Sequence, residues 1–146
     1  MKVVVDTNIV FSGLLNAERR IARLLLQAPA RVQFYTSHYL RAELHRHQAK
    51  LLRLTRLSEA DLRELLALVT RRIVFINEGL LPATVLRAAE ALVQAIDPDD
   101  TPFVALALHL DAYLWTGDRR LSQGLGSARP PALLLTTAEL AQLLEQ

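Results

Sequence analysis

The chain contains no cysteine, which excludes disulfides, thiolate metal sites and a cysteine nucleophile. Lysine is almost as rare, since Lys2 and Lys50 are its two occurrences. Long hydrophobic runs are also missing. The longest, 102–110, is far shorter than the roughly 20 residues that span a bilayer. The N-terminal apolar run is interrupted by Asp6 and is too short for a signal peptide. These absences predict a cytoplasmic protein that does not associate with membranes.

Apolar side chains, by contrast, are abundant. Hydrophobic residues make up 51% of the 146 residues and the mean hydropathy is +0.20, which predicts a large core within a single domain over 1–146. The formal net charge is only +2, although the sequence pI is about 9.4. A basic coat over the whole surface is therefore not indicated, whereas a local basic face for nucleic acid remains open.

Short apolar or β-branched runs alternate with helix-forming stretches along the chain. Strands are predicted over 3–5, 32–36, 72–76, 113–116 and 132–135. Helical spacing of apolar residues predicts helices over 21–28, 40–51, 62–69, 85–96 and 102–110, with a last helix after Thr136. The stripe of the 40–51 helix includes His47, which we expect at the edge of the core. This alternation is typical of an α/β protein, with a parallel sheet and helices on both faces.

Four acidic residues, far apart in sequence, stand near the ends of these segments. We call them the acidic quartet: Asp6, Glu43, Asp100 and Asp118. The carboxyl ends of parallel strands form one edge, where ligands bind. Asp6 follows the first strand, Asp118 lies two residues past the fourth, and Asp100 opens the helix that leads into the fourth. Carboxylates gathered in one cleft repel one another unless a divalent cation neutralises them, which indicates metal-dependent chemistry on a phosphate ester.

Each member of the quartet also has an ordinary structural explanation. Asp6 and Asp100 are suited to capping the helices that follow them. Asp118 follows Gly117 in a common turn pair, and Glu43 could lie on a solvated helix face. Four independent coincidences at one sheet edge are a less economical account than one site.

The order and spacing of these motifs resemble those of the PIN domain nucleases, most closely the prokaryotic PIN proteins that serve as toxins of toxin–antitoxin pairs. The matching segments are 6–8 (Asp-Thr-Asn), 40–44 around Glu43, 99–107 around Asp100, and 116–118 (Thr-Gly-Asp). The similarity runs over nearly the whole chain. It implies a three-layer α/β/α fold with a central parallel sheet of about five strands.

The resemblance also implies an activity, namely an endoribonuclease dependent on Mg²⁺ or Mn²⁺ that hydrolyses RNA phosphodiester bonds with metal-activated water. The acidic quartet would bind the metal and carry the catalysis. Asn8 and Thr116 match polar residues that orient the carboxylates. Arg119 and Arg120 adjoin Asp118 and are the expected phosphate contacts. A cognate antitoxin and a second copy of the chain, in a homodimer, are the expected protein partners.

Departures and alternatives accompany this interpretation. Some PIN proteins carry another acidic residue two positions beyond the last aspartate, where this chain has Arg120. A haloacid-dehalogenase-type phosphatase would need a second aspartate at position 8, which is Asn8 here. A receiver domain would need a lysine after a later strand, and the chain has none there. The remaining alternative is an inactive PIN-like module that binds RNA or a protein partner without cutting.

Overall fold

The computed structural model describes residues 1–15, 19–126 and 134–146. Five strands form one sheet in the order β3-β2-β1-β4-β5, and every neighbouring pair is parallel. The strands are β1 (Lys2–Val5), β2 (Gln33–Ser37), β3 (Ile73–Ile76), β4 (Tyr113–Trp115) and β5 (Leu134–Leu135). The first four predictions are confirmed to within one residue at each end. Residues 132 and 133 of the fifth prediction lie outside the described residues.

Nine α-helices lie within the described ranges. They are α1 (Thr7–Leu14), α2 (Arg19–Gln27), α3 (Tyr39–Arg46), α4 (Gln48–Thr55), α5 (Glu59–Thr70), α6 (Ala83–Val93), α7 (Thr101–Leu110), α8 (Arg119–Gly126) and α9 (Thr137–Glu145). Short 3-10 helices occupy Glu78–Leu80 and Pro98–Asp100. In the part of the chain that the structure describes, no helix is long and apolar enough to cross a membrane.

The helices form two layers, one on each face of the sheet. Crossover connections between parallel strands are right-handed, so the helices between β1 and β3 lie on one face and those of the return to β4 lie on the other. The packing agrees with this rule, because α1, α2 and α5 contact one another whereas α6 contacts α7 and α8. The predicted α/β/α architecture is confirmed.

The core lies between these layers and around α7. The side chains of 3–5 are fully buried in β1, as are Leu114 and Trp115 in β4. Helix α7 is apolar all round, as predicted, and packs against β1, β2 and β4. Because α7 leads into a parallel strand, it runs opposite to the strands. Its N-terminus, where Asp100 stands, therefore lies at the carboxyl edge of the sheet.

The chain order reverses between β1 and β4. From β1 the sheet grows through β2 to β3 on one side, and from β4 it grows to β5 on the other. A crevice for ligands forms beyond the carboxyl ends of strands at such a reversal. Asp6 follows β1 directly, and its amide N–H donates to the Trp115 carbonyl at 3.3 Å, which extends the ladder to the crevice.

Candidate active site

Asp6 lies at the bottom of the crevice, with 4% of its surface exposed. It caps α1, since its Oδ1 accepts a hydrogen bond from the Ile9 amide at 3.0 Å. The pKa of Asp6 is raised to about 6. Burial is the main cause and the charges of Asp118 and Glu43 add to it, whereas hydrogen bonds from the Thr116 side chain and the Ile9 amide lower the pKa. The capping explanation for Asp6 is thus correct, and it coexists with two acidic neighbours.

Asp118 stands at the end of β4, in the turn that begins α8. Its Oδ1 accepts hydrogen bonds from the amides of Arg120 at 2.9 Å and Leu121 at 3.1 Å, and its own N–H donates to Thr116 Oγ1 at 3.0 Å. Thr116, which is 1% exposed, therefore contacts both Asp6 and Asp118. The Thr116 hydroxyl thus lies between two members of the acidic quartet, in contact with the side chain of Asp6 and the backbone amide of Asp118.

Glu43 reaches the crevice from α3. The buried hydroxyl of Thr7 donates to Glu43 Oε1 at 2.5 Å. Burial raises the pKa of Glu43, the Thr7 hydrogen bond lowers it, and the nearby charge of Asp99 raises it. Sequence reasoning assigned the orienting role to Asn8 and missed Thr7. Asn8 is exposed, and within the described ranges its side chain makes no hydrogen bond to a carboxylate.

Asp100 enters the crevice from the N-terminus of α7. It occupies the N-cap position of that helix, but its side chain forms no capping hydrogen bond. Its Oδ2 atom is buried and has no hydrogen-bond partner among the described residues. A buried carboxylate oxygen without a partner is costly, and native proteins rarely leave one in that state without a ligand or a functional reason.

The four carboxylates are close enough to alter one another's ionisation. The pKa of Asp100 is raised to about 7, mostly by burial and also by the charges of Asp97, Asp118, Asp6 and Glu43. The three other members of the acidic quartet thus all act on Asp100. The convergence predicted from strand and helix positions is present in the structure.

A hydrogen-bonded network borders the crevice on the α3 side. The Tyr39 hydroxyl donates to Asp99 Oδ1 at 3.0 Å and accepts from Arg46 Nη2 at 3.3 Å. Arg46 also approaches Asp99 Oδ2 at 3.8 Å, with both side chains about half exposed. This network joins α3 to the 3-10 turn before α7, and so connects the elements that carry Glu43 and Asp100.

The two arginines beside Asp118 differ in their contacts. Arg120 Nη2 donates to the Ile96 carbonyl at 3.1 Å, so its guanidinium is held against the turn that precedes α7. Arg119 is exposed, and in the described residues its guanidinium has no hydrogen-bond or ion-pair partner. Both arginines were predicted as phosphate contacts. Of the two, Arg119 is the one whose guanidinium has no partner among the described residues.

The crevice fits a divalent cation by its chemistry. Among residues 1–15, 19–126 and 134–146, no three acidic or histidine side chains form a ready-made coordination cage. Mg²⁺ does not require one, because it keeps several waters and binds through one or two carboxylates together with substrate phosphate. The unpartnered Oδ2 of Asp100 and the mutual repulsion of the acidic quartet are both relieved by a cation.

The comparisons with known proteins agree with this architecture. A family model described as PIN domain matches residues 4–145. Among solved structures, VapBC-1 from nontypeable Haemophilus influenzae has a TM-score of 0.68 and 18% identity, and the alignment covers 94% of this chain and 99% of that chain. VapBC2 from Rickettsia felis, bound to a DNA fragment from their promoter, has a TM-score of 0.63 and 15% identity, with 93% and 98% covered.

A third solved structure is a toxin–antitoxin complex from Klebsiella pneumoniae, with a TM-score of 0.58, 20% identity, and 92% of this chain and 97% of that chain covered. Among curated proteins, none matches this sequence. At these levels of identity the solved structures establish the fold, and the family match rests on the sequence itself.

Proposed function

This chain belongs to the PIN domain family, and from that premise we propose that it is a divalent-metal-dependent endoribonuclease that hydrolyses RNA phosphodiester bonds. The observation that carries the proposal is Asp100, whose Oδ2 is buried and has no partner among the described residues, while the other three members of the acidic quartet and Asp97 act on the same group. An inactive binding module has no use for such a concentration of negative charge.

The acidic quartet would hold Mg²⁺ or Mn²⁺. When bound, the cation supplies the positive charge that keeps the carboxylates ionised and activates water against the phosphodiester. Two hydroxyl groups of the chain would orient the acidic side chains around the cation. Thr7 donates to Glu43, and Thr116 contacts Asp6 and Asp118. Such partners determine how tightly and in what orientation carboxylates bind a metal.

The direct test is incubation of the purified protein with labelled RNA, with and without Mn²⁺ or Mg²⁺. We expect cleavage that needs the cation and that falls at least about 100-fold in Asp100→Asn. Asp111→Asn is the matched control, since Asp111 is the exposed residue at the other end of α7 and its left-handed conformation, with φ of 51°, suits asparagine.

If the protein is instead an inactive binding module, the same experiment should give the opposite result. The unmodified protein should then cleave no RNA with any cation, and a titration followed by electron paramagnetic resonance should show no bound Mn²⁺. If Asp100→Asn cleaves RNA as fast as the control Asp111→Asn does, Asp100 is not part of the active site.

The physiological role that we propose is the toxin of a toxin–antitoxin pair. The support is the fold shared with the toxin–antitoxin complex from Klebsiella pneumoniae over 92% of this chain. Expression of the chain alone should arrest growth, Asp100→Asn should not, and a small protein encoded beside it should copurify and restore growth. The homodimer stays a prediction, to be tested by light scattering.

A further inference from the structure

A groove adjoins the acidic quartet on the side formed by α1, α2, α8 and the start of α9. Its volume is about 770 Å³, within the range of ligand-binding pockets. Thr116 and Gly117 line the groove, and Thr116 also contacts Asp6 and Asp118. The groove and the crevice therefore lie side by side, with Thr116 as a shared wall.

The chemistry of the groove is opposite to that of the crevice. Two arginines line it, Arg20 from α2 and Arg119 from α8, and none of the described residues in its lining is acidic. Hydroxyl and amide side chains provide further hydrogen-bonding groups, namely Asn8, Ser12, Ser122 and Gln123. Phe11, which is only partly buried, supplies apolar surface beside them. An anionic chain with apolar faces between its charges matches this lining.

Both arginines are available to a ligand. Arg20 and Arg119 are exposed, and among the described residues neither guanidinium has a hydrogen-bond or ion-pair partner. Guanidinium groups bind phosphate through paired N–H donors, which makes free arginines on a groove suited to a phosphate backbone. Arg120 points elsewhere, since its guanidinium is bound to the Ile96 carbonyl.

We propose that this groove binds a single strand of RNA on one side of the bond to be cut, with Arg20 and Arg119 contacting its backbone phosphates. The inference rests on the proposed ribonuclease function and assigns part of its substrate path. A groove of this volume has room for a few nucleotides of a single strand. Because Thr116 borders both the groove and the crevice, a strand that lies in the groove passes beside the acidic quartet.

The test is binding of a fluorescent single-stranded oligoribonucleotide, measured by anisotropy in EDTA so that no cleavage occurs. Arg20→Ala and Arg119→Ala should each weaken binding about fivefold and reduce the slope of log affinity against log salt by about 0.7, the value for one lost phosphate contact on a single strand. Arg87→Ala is the control, because Arg87 is an exposed arginine of α6 outside the groove.

A second readout separates binding from chemistry. In the cation-supported cleavage assay, Arg20→Ala should raise KM while kcat stays within about twofold, since Arg20 lies in the groove and not in the crevice. RNA binding by Arg20→Ala and Arg119→Ala that equals binding by Arg87→Ala would overturn the inference and leave the ribonuclease proposal standing. Absence of both RNA binding and cleavage in the unmodified protein would overturn the two together.

Discussion

Asp100 differs from three other polar N-cap residues in what its side chain does. Asp6, Ser58 and Thr136 cap α1, α5 and α9, and each accepts a hydrogen bond from an amide of its helix. Asp100 stands at the same position of α7 and forms no such bond. An aspartate that forgoes a cap worth about 1 kcal/mol, and whose Oδ2 atom is buried instead, is placed for another purpose.

The cost of that placement can be measured in the metal-free protein. We expect Asp100→Asn to raise the free energy of unfolding in EDTA by about 1–2 kcal/mol, because it removes a partly buried charge that four neighbouring carboxylates repel. Thermal unfolding should move up by several degrees, and added Mn²⁺ should stabilise the variant less than the unmodified protein. A lower melting temperature in EDTA would mean that Asp100 supports the fold and not the site.

Thr7 offers a second test at the scale of one hydroxyl. Thr7→Val keeps the shape of the side chain but removes the donor to Glu43 Oε1. We expect a loss of about tenfold in cation affinity or activity, the usual range for partners of metal-binding carboxylates. Thr7→Ser should restore most of the loss, because it returns the hydroxyl. Equal activity in Thr7→Val and the unmodified protein would show that Glu43 needs no such support.

The sequence predicted the acidic quartet and misassigned one of its supporting residues. Asn8 and Thr7 are adjacent, and on a helix adjacent side chains point in different directions. Which of the two faces Glu43 depends on where α1 begins, and α1 was not predicted. Thr116 directly follows Trp115, the last residue of β4, and side chains alternate between faces along a strand, so its direction was open to inference.

At the scale of elements, buried strands were predicted well because their apolar runs are short and bounded. Helices α1 and α8 were missed, since each has eight residues and begins directly after an acidic residue of the site. Helix α8 contains two glycines, which lowers helix propensity. Its formation depends on the Asp118 cap and on burial of Leu121 and Leu125, and neither is visible in local sequence.

The predicted 40–51 helix is interrupted, and the expected place of His47 was wrong. Helix α3 ends at Arg46 and α4 begins at Gln48, with His47 between them at φ of −102° and ψ of 14°. The break leaves His47 exposed, with its ring edge-on to Phe11 at 6.3 Å. Apolar spacing continued through the break, so periodicity alone could not detect it.

Helix α8 packs closely against the turn before α7, at the contact between Gly124 and Ile96. A Cβ at Gly124 would lie 2.2 Å from Ile96 Cδ1 and 2.7 Å from Cγ1, so the isoleucine or the helix must move. We expect Gly124→Ala to destabilise the protein by about 1–3 kcal/mol, although alanine otherwise favours helices. It should also lower activity, because the Ile96 turn leads to Asp100.

The matched control for this substitution is Gly13→Ala in α1. There the new Cβ would meet Ile21 Cγ2 at 3.4 Å, at the limit of ordinary contact, and we expect a change within about 1 kcal/mol. Adding Ile96→Ala to Gly124→Ala should recover part of the lost stability in a double-mutant cycle. Purely additive effects would show that the two elements are not coupled through this contact.

At the scale of the whole molecule, the site exists because the fold brings residues from both halves of the chain to one edge. Strand order and the direction of α7 place Asp6, Asp118 and Asp100 there by general rules for parallel sheets. The convergence of these three residues could therefore be predicted from the sequence. Glu43 depends on the orientation of α3, which tertiary contacts such as the Tyr39–Asp99 hydrogen bond set.

The concentration of charge at that edge makes the stability of the metal-free protein depend on pH. The pKa of Asp6 is raised to about 6 and that of Asp100 to about 7, from 3.8 in the unfolded chain. Between about pH 4 and pH 7 the folded protein therefore binds more protons than the unfolded chain does. Stability contributed by these two groups must fall as the pH rises through this window. For Asp6 alone the fall is at most about 3 kcal/mol.

Thermal unfolding in EDTA from pH 4 to pH 8 measures this dependence. Other ionisable groups contribute to the overall curve, so the informative quantity is the difference between Asp100→Asn and the unmodified protein. That difference should grow in favour of the variant from pH 4 to pH 7 and then level off, because ionisation of Asp100 is then complete. Mn²⁺ should stabilise the unmodified protein more at pH 8 than at pH 5, since the cation binds ionised carboxylates. A difference that is constant across this range would mean that Asp100 ionises normally, and the crowding of charge that underlies the proposed metal site would be absent.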